Sequence, residues 1–280
     1  MSKSFGYCDV KNPMKAAPVF MPFPQPLHAA TYLHRKQRFL AEMTLADGTH
    51  ELVYCANSGA MTARLSSGMR ALIWDSEDLK RKRRFTWRAI ETEGLWVGTD
   101  THLSNRIVEQ AMILGLVPGL ESYDRIVREP LVEPGVRVDF LISGDLGDCL
   151  IEVKSANIVD NGVARYPDSP TPRGVKQLNS LARKAAEGNR AILVFLVQRE
   201  DAQCFQISTT VDTSYADAFA AAMAAGVEVL ALRVSVTPEG FGIPNLLSIV
   251  LATPADVAPT IELTPSHIGP TRKNGKNNHG

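Results

Sequence analysis

Near residue 98 the hydrophobic rhythm of this 280-residue chain changes, and the change limits the fold to two differently built parts. Upstream, from residue 27, short apolar runs alternate with turn residues and no helical stripe is present. Phe39 to Leu45 and Glu51 to Cys55 are joined through Asp47-Gly48, a pair that tolerates the positive φ of a tight hairpin. Met69 to Trp74, Phe85 to Ile90, and Leu95 to Val97 after Gly94 bring the tally to about five strands. So many short strands in residues 27–98 predict a small β-barrel, with an OB-like fold as the economical solution; a small sandwich gives the same pattern.

Downstream the period alternates, in the order helix, three strands, helix, strand, helix, strand. Leu103, Ile107, Val108, Ala111 and Leu114 mark the first amphipathic helix. Ile126 to Arg128, Val136 to Ile142 and Cys149 to Val153 read as strands. Thr171-Pro172 supplies an N-cap and first turn for a helix whose stripe is Val175, Leu178, Ala182 and Ala185, ending at Gly188. Ala191 to Val197 is apolar throughout, as a strand covered on both faces should be. An alanine-rich helix over 212–225 and a strand over 227–234 complete an α/β domain spanning 99–240. Residues 1–26, rich in proline, are expected to form an extended arm, and residues 241–280 a largely disordered extension.

The chain carries 30 basic and 30 acidic residues, so no global field draws it to nucleic acid or membrane and any polyanion site must be local. Its four cysteines are far apart, without metal-ligand spacing, which suits buried thiols in a reducing cytoplasm. No apolar run reaches membrane-spanning length.

One constellation carries chemistry. If the strands around Asp139 and Glu152 pair as a hairpin, Asp139 is brought to the face that Glu152 and Lys154 share by the two-residue repeat of a strand. Two carboxylates beside an ammonium make a site for a hard divalent cation, with the lysine placed to stabilise charge on a phosphate. The same residues also make an ordinary cross-strand salt-bridge cluster. A second feature is the run Lys80-Arg81-Lys82-Arg83-Arg84, followed by Phe85 and Trp87, where cations suit phosphates and aromatics suit unpaired bases. Charge runs also occur as solvated loops. Arg173 and Lys176 add positive charge near the proposed cation site. Asn57-Ser58-Gly59 reads as a structural turn before a phosphate loop, Asp168 as a loop-ordering residue, and His102 as a hydrogen-bonding residue at a helix start.

The segments Arg137-Val138-Asp139-Phe140, Ile151-Glu152-Val153-Lys154-Ser155, Tyr166-Pro167-Asp168 and Arg173-Gly174-Val175-Lys176-Gln177-Leu178 resemble the sugar fermentation stimulation protein A family. So do Arg38-Phe39-Leu40-Ala41 and the stretch Cys55 to Met61, and the likeness runs in order over residues 27–240. The resemblance implies an OB-fold-like domain followed by a domain similar to the PD-(D/E)XK nucleases. It implies that Asp139, Glu152 and Lys154 are the catalytic set, and that Asp139, Glu152 and the main-chain carbonyl of Val153 hold Mg²⁺ or Mn²⁺. It also implies a DNA-binding protein that influences sugar utilisation, maltose above all. Val138 stands where the nuclease motif has proline, Ala56 and Ser58 where proline and threonine are expected, and Gln177 where histidine is expected. Glu109 is left outside the set.

These readings give a bacterial, cytoplasmic DNA-binding regulator as the leading expectation, contacting DNA through residues 80–84, Trp87, Arg173 and Lys176. An active metal-dependent phosphodiesterase is the alternative, and a scaffold working through protein contacts the third. A homodimer is left open.

Overall fold

A computed structural model describes residues 19–250, apart from 58, 60, 62–64, 122 and 146. Its first seven strands are β1 (Val19–Pro22), β2 (Leu27–Gln37), β3 (Leu40–Leu45), β4 (His50–Tyr54), β5 (Arg70–Asp75), β6 (Phe85–Thr92) and β7 (Leu95–Gly98). Strands β2 to β7 hydrogen-bond in the order β4-β3-β2-β5-β6-β7. Tyr54 of β4 also pairs with Thr86 of β6, which closes five strands into a barrel. Alternate residues Ala41, Met43, Val53, Ile73 and Trp87 point inward and fill it. The Asp47-Gly48 turn forms as expected, with Gly48 at φ +86° and the Leu45 N–H donating to the Thr49 carbonyl. The 11-residue β2, the longest strand of the barrel, is absent from the sequence reading. Only Ala30 and Tyr32 of its residues are buried, so its alternation is too weak to stand out.

The second domain begins with α1 (Thr101–Ile113), followed by β8 (Tyr123–Arg128), β9 (Leu131–Glu133), β10 (Val136–Arg137), β11 (Phe140–Gly144), β12 (Gly147–Ser155), β13 (Ile158–Asp160) and β14 (Val163–Tyr166). Then come α2 (Pro172–Ala186), β15 (Arg190–Val197), β16 (Cys204–Ile207), α3 (Thr213–Ala224) and β17 (Glu228–Arg233). The last described strands are β18 (Val236–Thr237), β19 (Gly240–Gly242), β20 (Asn245–Leu246) and β21 (Ser248–Val250). The main sheet runs β20-β17-β15-β12-β11-β8, with β12, β15 and β17 parallel at its centre. Helix α1 buries Leu103, Ile107 and Ala111 against one face, where Ile151, Val153 and Val194 point. Leu178 and Leu181 of α2 and Phe219 of α3 cover Leu150, Leu193 and Phe195 on the other. Thr171 caps α2 as the sequence suggests, its Oγ1 accepting from the Gly174 N–H at 3.2 Å; at α3 it is Asp212 that caps, its Oδ1 accepting from the Tyr215 N–H at 3.0 Å.

Three features differ from the sequence reading. The expected strand over 136–142 is broken at Val138-Asp139: β10 pairs with β9, whereas β11 pairs with β12 and β8. A second sheet, β13-β14-β16-β21, occupies segments where the sequence reading places no strand, because its strands are short and interrupted by polar residues. The boundaries set at 26 and 241 fall within folded structure, since β1 pairs with β19 and Phe23 packs on Phe241 with ring centroids 4.6 Å apart. The remainder of the proposed arm and tail, including Cys8, lies outside the described residues.

The two domains share packing. Met21, Phe23, Leu72 and Ala89 join the cluster that α1 makes with the main sheet. At the junction the Gly98 N–H donates to the Gln198 carbonyl at 2.9 Å, and a Cβ on Gly98 would run into the Gln198 side chain. Arg88 of the barrel ion-pairs with Asp100, the N-cap of α1, with both side chains at least nine-tenths buried.

Candidate functional site

The break before β11 shapes the site. Phe140 lies opposite Ile151, so Asp139 stands at the start of β11 beside Glu152, where β12 continues past its antiparallel neighbour. Asp139 Oδ2 accepts from the Val153 N–H at 2.7 Å, and Oδ1 from Asn105 Nδ2 of α1 at 2.7 Å. Both donors fix the carboxylate plane. Lys154 Nζ donates to Glu152 Oε1 and to Gln177 Oε1 of α2, the latter at 2.8 Å. Gln198 Nε2, reaching Ser104 and Ser155 at 2.9 and 3.2 Å, ties α1 to the end of β12 just past this lysine.

Glu152 is 2% exposed, and its Oε2 is buried with no hydrogen-bond partner. Burial pushes its carboxyl up, to about 7; the Lys154 charge opposes the shift and the Asp139 charge adds to it. For Lys154 burial works against the charge, but the carboxylates outweigh it and hold the ammonium above its ordinary range. Two carboxylates thus share one ammonium, and a further positive charge would be favoured between them. The donor set is all oxygen, hard in character, and suits Mg²⁺, Mn²⁺ or Ca²⁺. Among the described residues no three His, Cys, Asp or Glu side chains gather as a ligand set. A cation here would therefore rest on Asp139, Glu152, a main-chain carbonyl and water.

The trio lies in a cleft of about 760 Å³ between the domains. Arg38, Asn57 and Gly59 line it from the barrel, and Arg165, Tyr166 and Arg173 from the second domain. Gly59 presses on Asp168, where a Cβ would meet the carboxylate, so Asp168 orders a contact between domains. Asn57 makes the expected turn, its Oδ1 accepting from the Gly59 N–H at 2.8 Å; Ser58 lies outside the described residues. His102 is an exposed cleft residue whose backbone N–H, rather than its ring, bonds the Asp100 cap.

The structure thus brings together Asp139, Glu152, Val153, Lys154 and Arg173. The other expected contacts sit elsewhere. Lys176 is exposed outside the cleft lining, because the buried stripe of α2 runs through Gly174, Gln177, Leu178 and Leu181 and turns residue 176 away. Residues Lys80 to Arg84 form the loop from β5 to β6, also outside the cleft. Arg84 is engaged with Asp75 through two bonds of 2.7 and 2.5 Å, and Arg81 lies over Trp74 at 5.5 Å. Trp87 is fully buried, stacked on Tyr32 at 5.2 Å, with Nε1 donating to the Ala89 carbonyl. It is barrel core and offers no face to a base, for strand alternation turns it inward. The sequence reading missed Asn105 and Arg38, and set aside Glu109, which lines the cleft while bonded to Arg128 at 2.7 Å. The i, i+4 spacing of Asn105 and Glu109 beside an apolar stripe was the available signal.

A closed OB-type barrel leading into a mixed α/β domain, with an acidic pair and a lysine in the cleft between them, defines a two-domain class. A family model described as "SfsA N-terminal OB domain" matches residues 33–99, and one described as "Sugar fermentation stimulation protein RE domain" matches residues 102–240. The chain belongs to the sugar fermentation stimulation protein family. It is 38% identical over 226 residues to the "Sugar fermentation stimulation protein homolog" of Pelobacter propionicus, covering 81% of this chain and 98% of that relative. A homolog of the same name from Allorhizobium ampelinum is 37% identical over 235 residues, covering 82% of this chain and all of that protein. A solved structure described as "The structure of Pyrococcus Furiosus SfsA in complex with Ca2+" is similar with a TM-score of 0.78 and 28% identity, covering 84% of this chain and 100% of that one. No helix among the described residues is long and apolar enough to cross a membrane.

Proposed function

We propose that the cleft binds nucleic acid and hydrolyses a phosphodiester with the help of Mg²⁺ or Mn²⁺, held by Asp139, Glu152 and the main-chain carbonyl of Val153. The observation that carries this reading is the buried Glu152 Oε2, an acceptor without a donor, on a carboxylate next to a second one. The likeness of these residues to the PD-(D/E)XK nuclease pattern supports it, as does the Ca²⁺ named for the Pyrococcus relative. A bound divalent cation would supply Lewis acidity to a phosphoryl oxygen and make a bound water more acidic. The chain's own residues do the rest. Asn105 and the Val153 N–H hold the Asp139 carboxylate in place, and Arg38, Arg165 and Arg173 attract the polyanion. Lys154, positioned by Gln177, stabilises charge that grows on the phosphate.

A second reading, binding without cleavage, is favoured by the engagement of Lys154 with both Glu152 and Gln177. It makes the protein a DNA-binding regulator, and the name its relatives carry connects that regulation to sugar use. One experiment separates the two. Labelled DNA is incubated with the parent, Glu152→Gln and Lys154→Ala, each with Mn²⁺ or a chelator. Hydrolysis predicts Mn²⁺-dependent cleavage by the parent and a loss of about a hundredfold or more in each variant. Retained DNA that stays intact with Mn²⁺ would establish the second reading, and DNA neither bound nor cut would end both.

A further inference from the structure

The barrel carries an outer face that the cleft does not use. On β3 and β4, Ala41, Met43 and Val53 point inward and are wholly buried, which completes the core from these strands. Their neighbours face out, and alternation would make them polar. Glu42, Thr44 and His50 obey that rule, but Leu40 pairs opposite Tyr54, and Leu52 sits one step along, opposite Glu42. The turn from β2 to β3 adds Phe39, which is 43% exposed. Lys82 and Arg83, from the loop between β5 and β6, line the same groove, and Lys36, 3.8 Å from the Glu42 carboxylate, completes its rim. An aromatic and aliphatic floor is thus edged by three cations.

We propose that this groove is a second nucleic-acid site, separate from the cleft, that takes a single strand. Unpaired bases would stack on Phe39 and Tyr54 while Lys36, Lys82 and Arg83 meet the backbone phosphates. A duplex keeps its base faces inside its own stack and leaves such a floor unfilled. The topology agrees. Counting the five barrel strands from β2, the groove lies on the second and third, between the loop joining the first pair and the loop joining the fourth and fifth. Barrels of this type hold oligonucleotides on that face, between those two loops. The basic run then acts through Lys82 and Arg83, with aromatic partners from β4 and the β2–β3 turn in place of Phe85 and Trp87. Arg38 lines the cleft and Phe39 the groove, so one turn joins the two surfaces.

The test is fluorescence anisotropy with a short labelled oligothymidylate and a duplex of equal length, both with chelator present. The parent should bind the single strand more tightly. Phe39→Ala should weaken that binding by about tenfold. The pair Lys82→Ala and Arg83→Ala should weaken it and flatten the salt slope by about 0.7 for each phosphate no longer neutralised. Phe39 and Lys82 are exposed, so thermal melts of these variants should match the parent. Parent-like affinity in Phe39→Ala, equal affinity for the duplex, or no binding of oligothymidylate at all would overturn the proposal, the last pointing to a protein segment as the occupant. Failure of the cleavage reading is distinguishable, because it appears as intact DNA with Mn²⁺ whatever stands at residue 39.

Discussion

The cleft trio and the basic run show two ways in which a chain concentrates charge. Asp139, Glu152 and Lys154 come from two strands, are steadied by Asn105 of α1 and Gln177 of α2, and end with Glu152 only 2% exposed. Lys80 to Arg84 are adjacent in sequence, yet the structure scatters them: Arg84 goes to Asp75, Arg81 to Trp74, and Lys82 and Arg83 to the groove. Contiguity brings charges near one another but leaves them in water, where each is screened. Assembly by topology places fewer charges where water is scarce and their mutual effects are large. The cleft pair therefore has displaced protonation behaviour.

That contrast can be broken or sharpened by substitution. The largest effect is expected at another buried charge pair, Arg88 with Asp100, which ties the barrel to the second domain. Asp100→Ala leaves Arg88 buried without its counter-ion, and urea unfolding should show a loss of about 3–5 kcal/mol. A loss below about 1 kcal/mol would place that pair with surface ion pairs. Next comes Asn105→Ala, which frees one oxygen of Asp139. Calorimetric titration with Mn²⁺ should show affinity reduced about 10–100-fold with the fold intact. Unchanged affinity would mean that Asn105 does not orient a ligand.

The smallest effect belongs to the loop. Hydrogen bonds from Arg84 hold the Asp75 carboxyl below the usual carboxylate range. A carboxylate depressed on folding stabilises the protein above its unfolded pKa, near 4, and that contribution fades as pH falls through the folded value. Asp75→Asn should thus lower the melting temperature at neutral pH and converge with the parent below about pH 3, by less than about 1 kcal/mol because Arg84 is half exposed. A gap that persists in acid would trace to the Glu77 N–H, which donates to Asp75 Oδ1 at 2.8 Å, rather than to the charge of Asp75.

Much of this architecture can be read from residues. The Asp47-Gly48 hairpin, the Thr171 cap and the apolar run over 191–197 in β15 announce themselves because each is a local rule obeyed within a few residues. The strand pairing that puts Asp139 beside Glu152 was equally legible, through the two-residue repeat. What stayed hidden depends on long-range placement. No local signal states that Trp87 turns into a barrel while Trp74 stays half-buried at its surface, or that Arg38 meets a cleft formed with residues more than a hundred positions away. Lys176 and Gln177 are neighbours in sequence, and the rotation of one helix sends only the second to the ammonium of Lys154.

The pairing of β1 with β19 has a practical corollary for anyone who trims this protein. The span shared with the family models begins at residue 33 and stops at 240, so a fragment cut to those limits discards Val19–Pro22 and ends at the first glycine of their partner. Gly240 has backbone so close to Met21 and Pro22 that no side chain would fit, which marks a snug seam between the strand ahead of the barrel and the last part of the second domain. Shortened versions would open that seam, strip Leu103 and Ile107 of part of their cover, and yield a poorer guide to the intact molecule than their match to the family suggests.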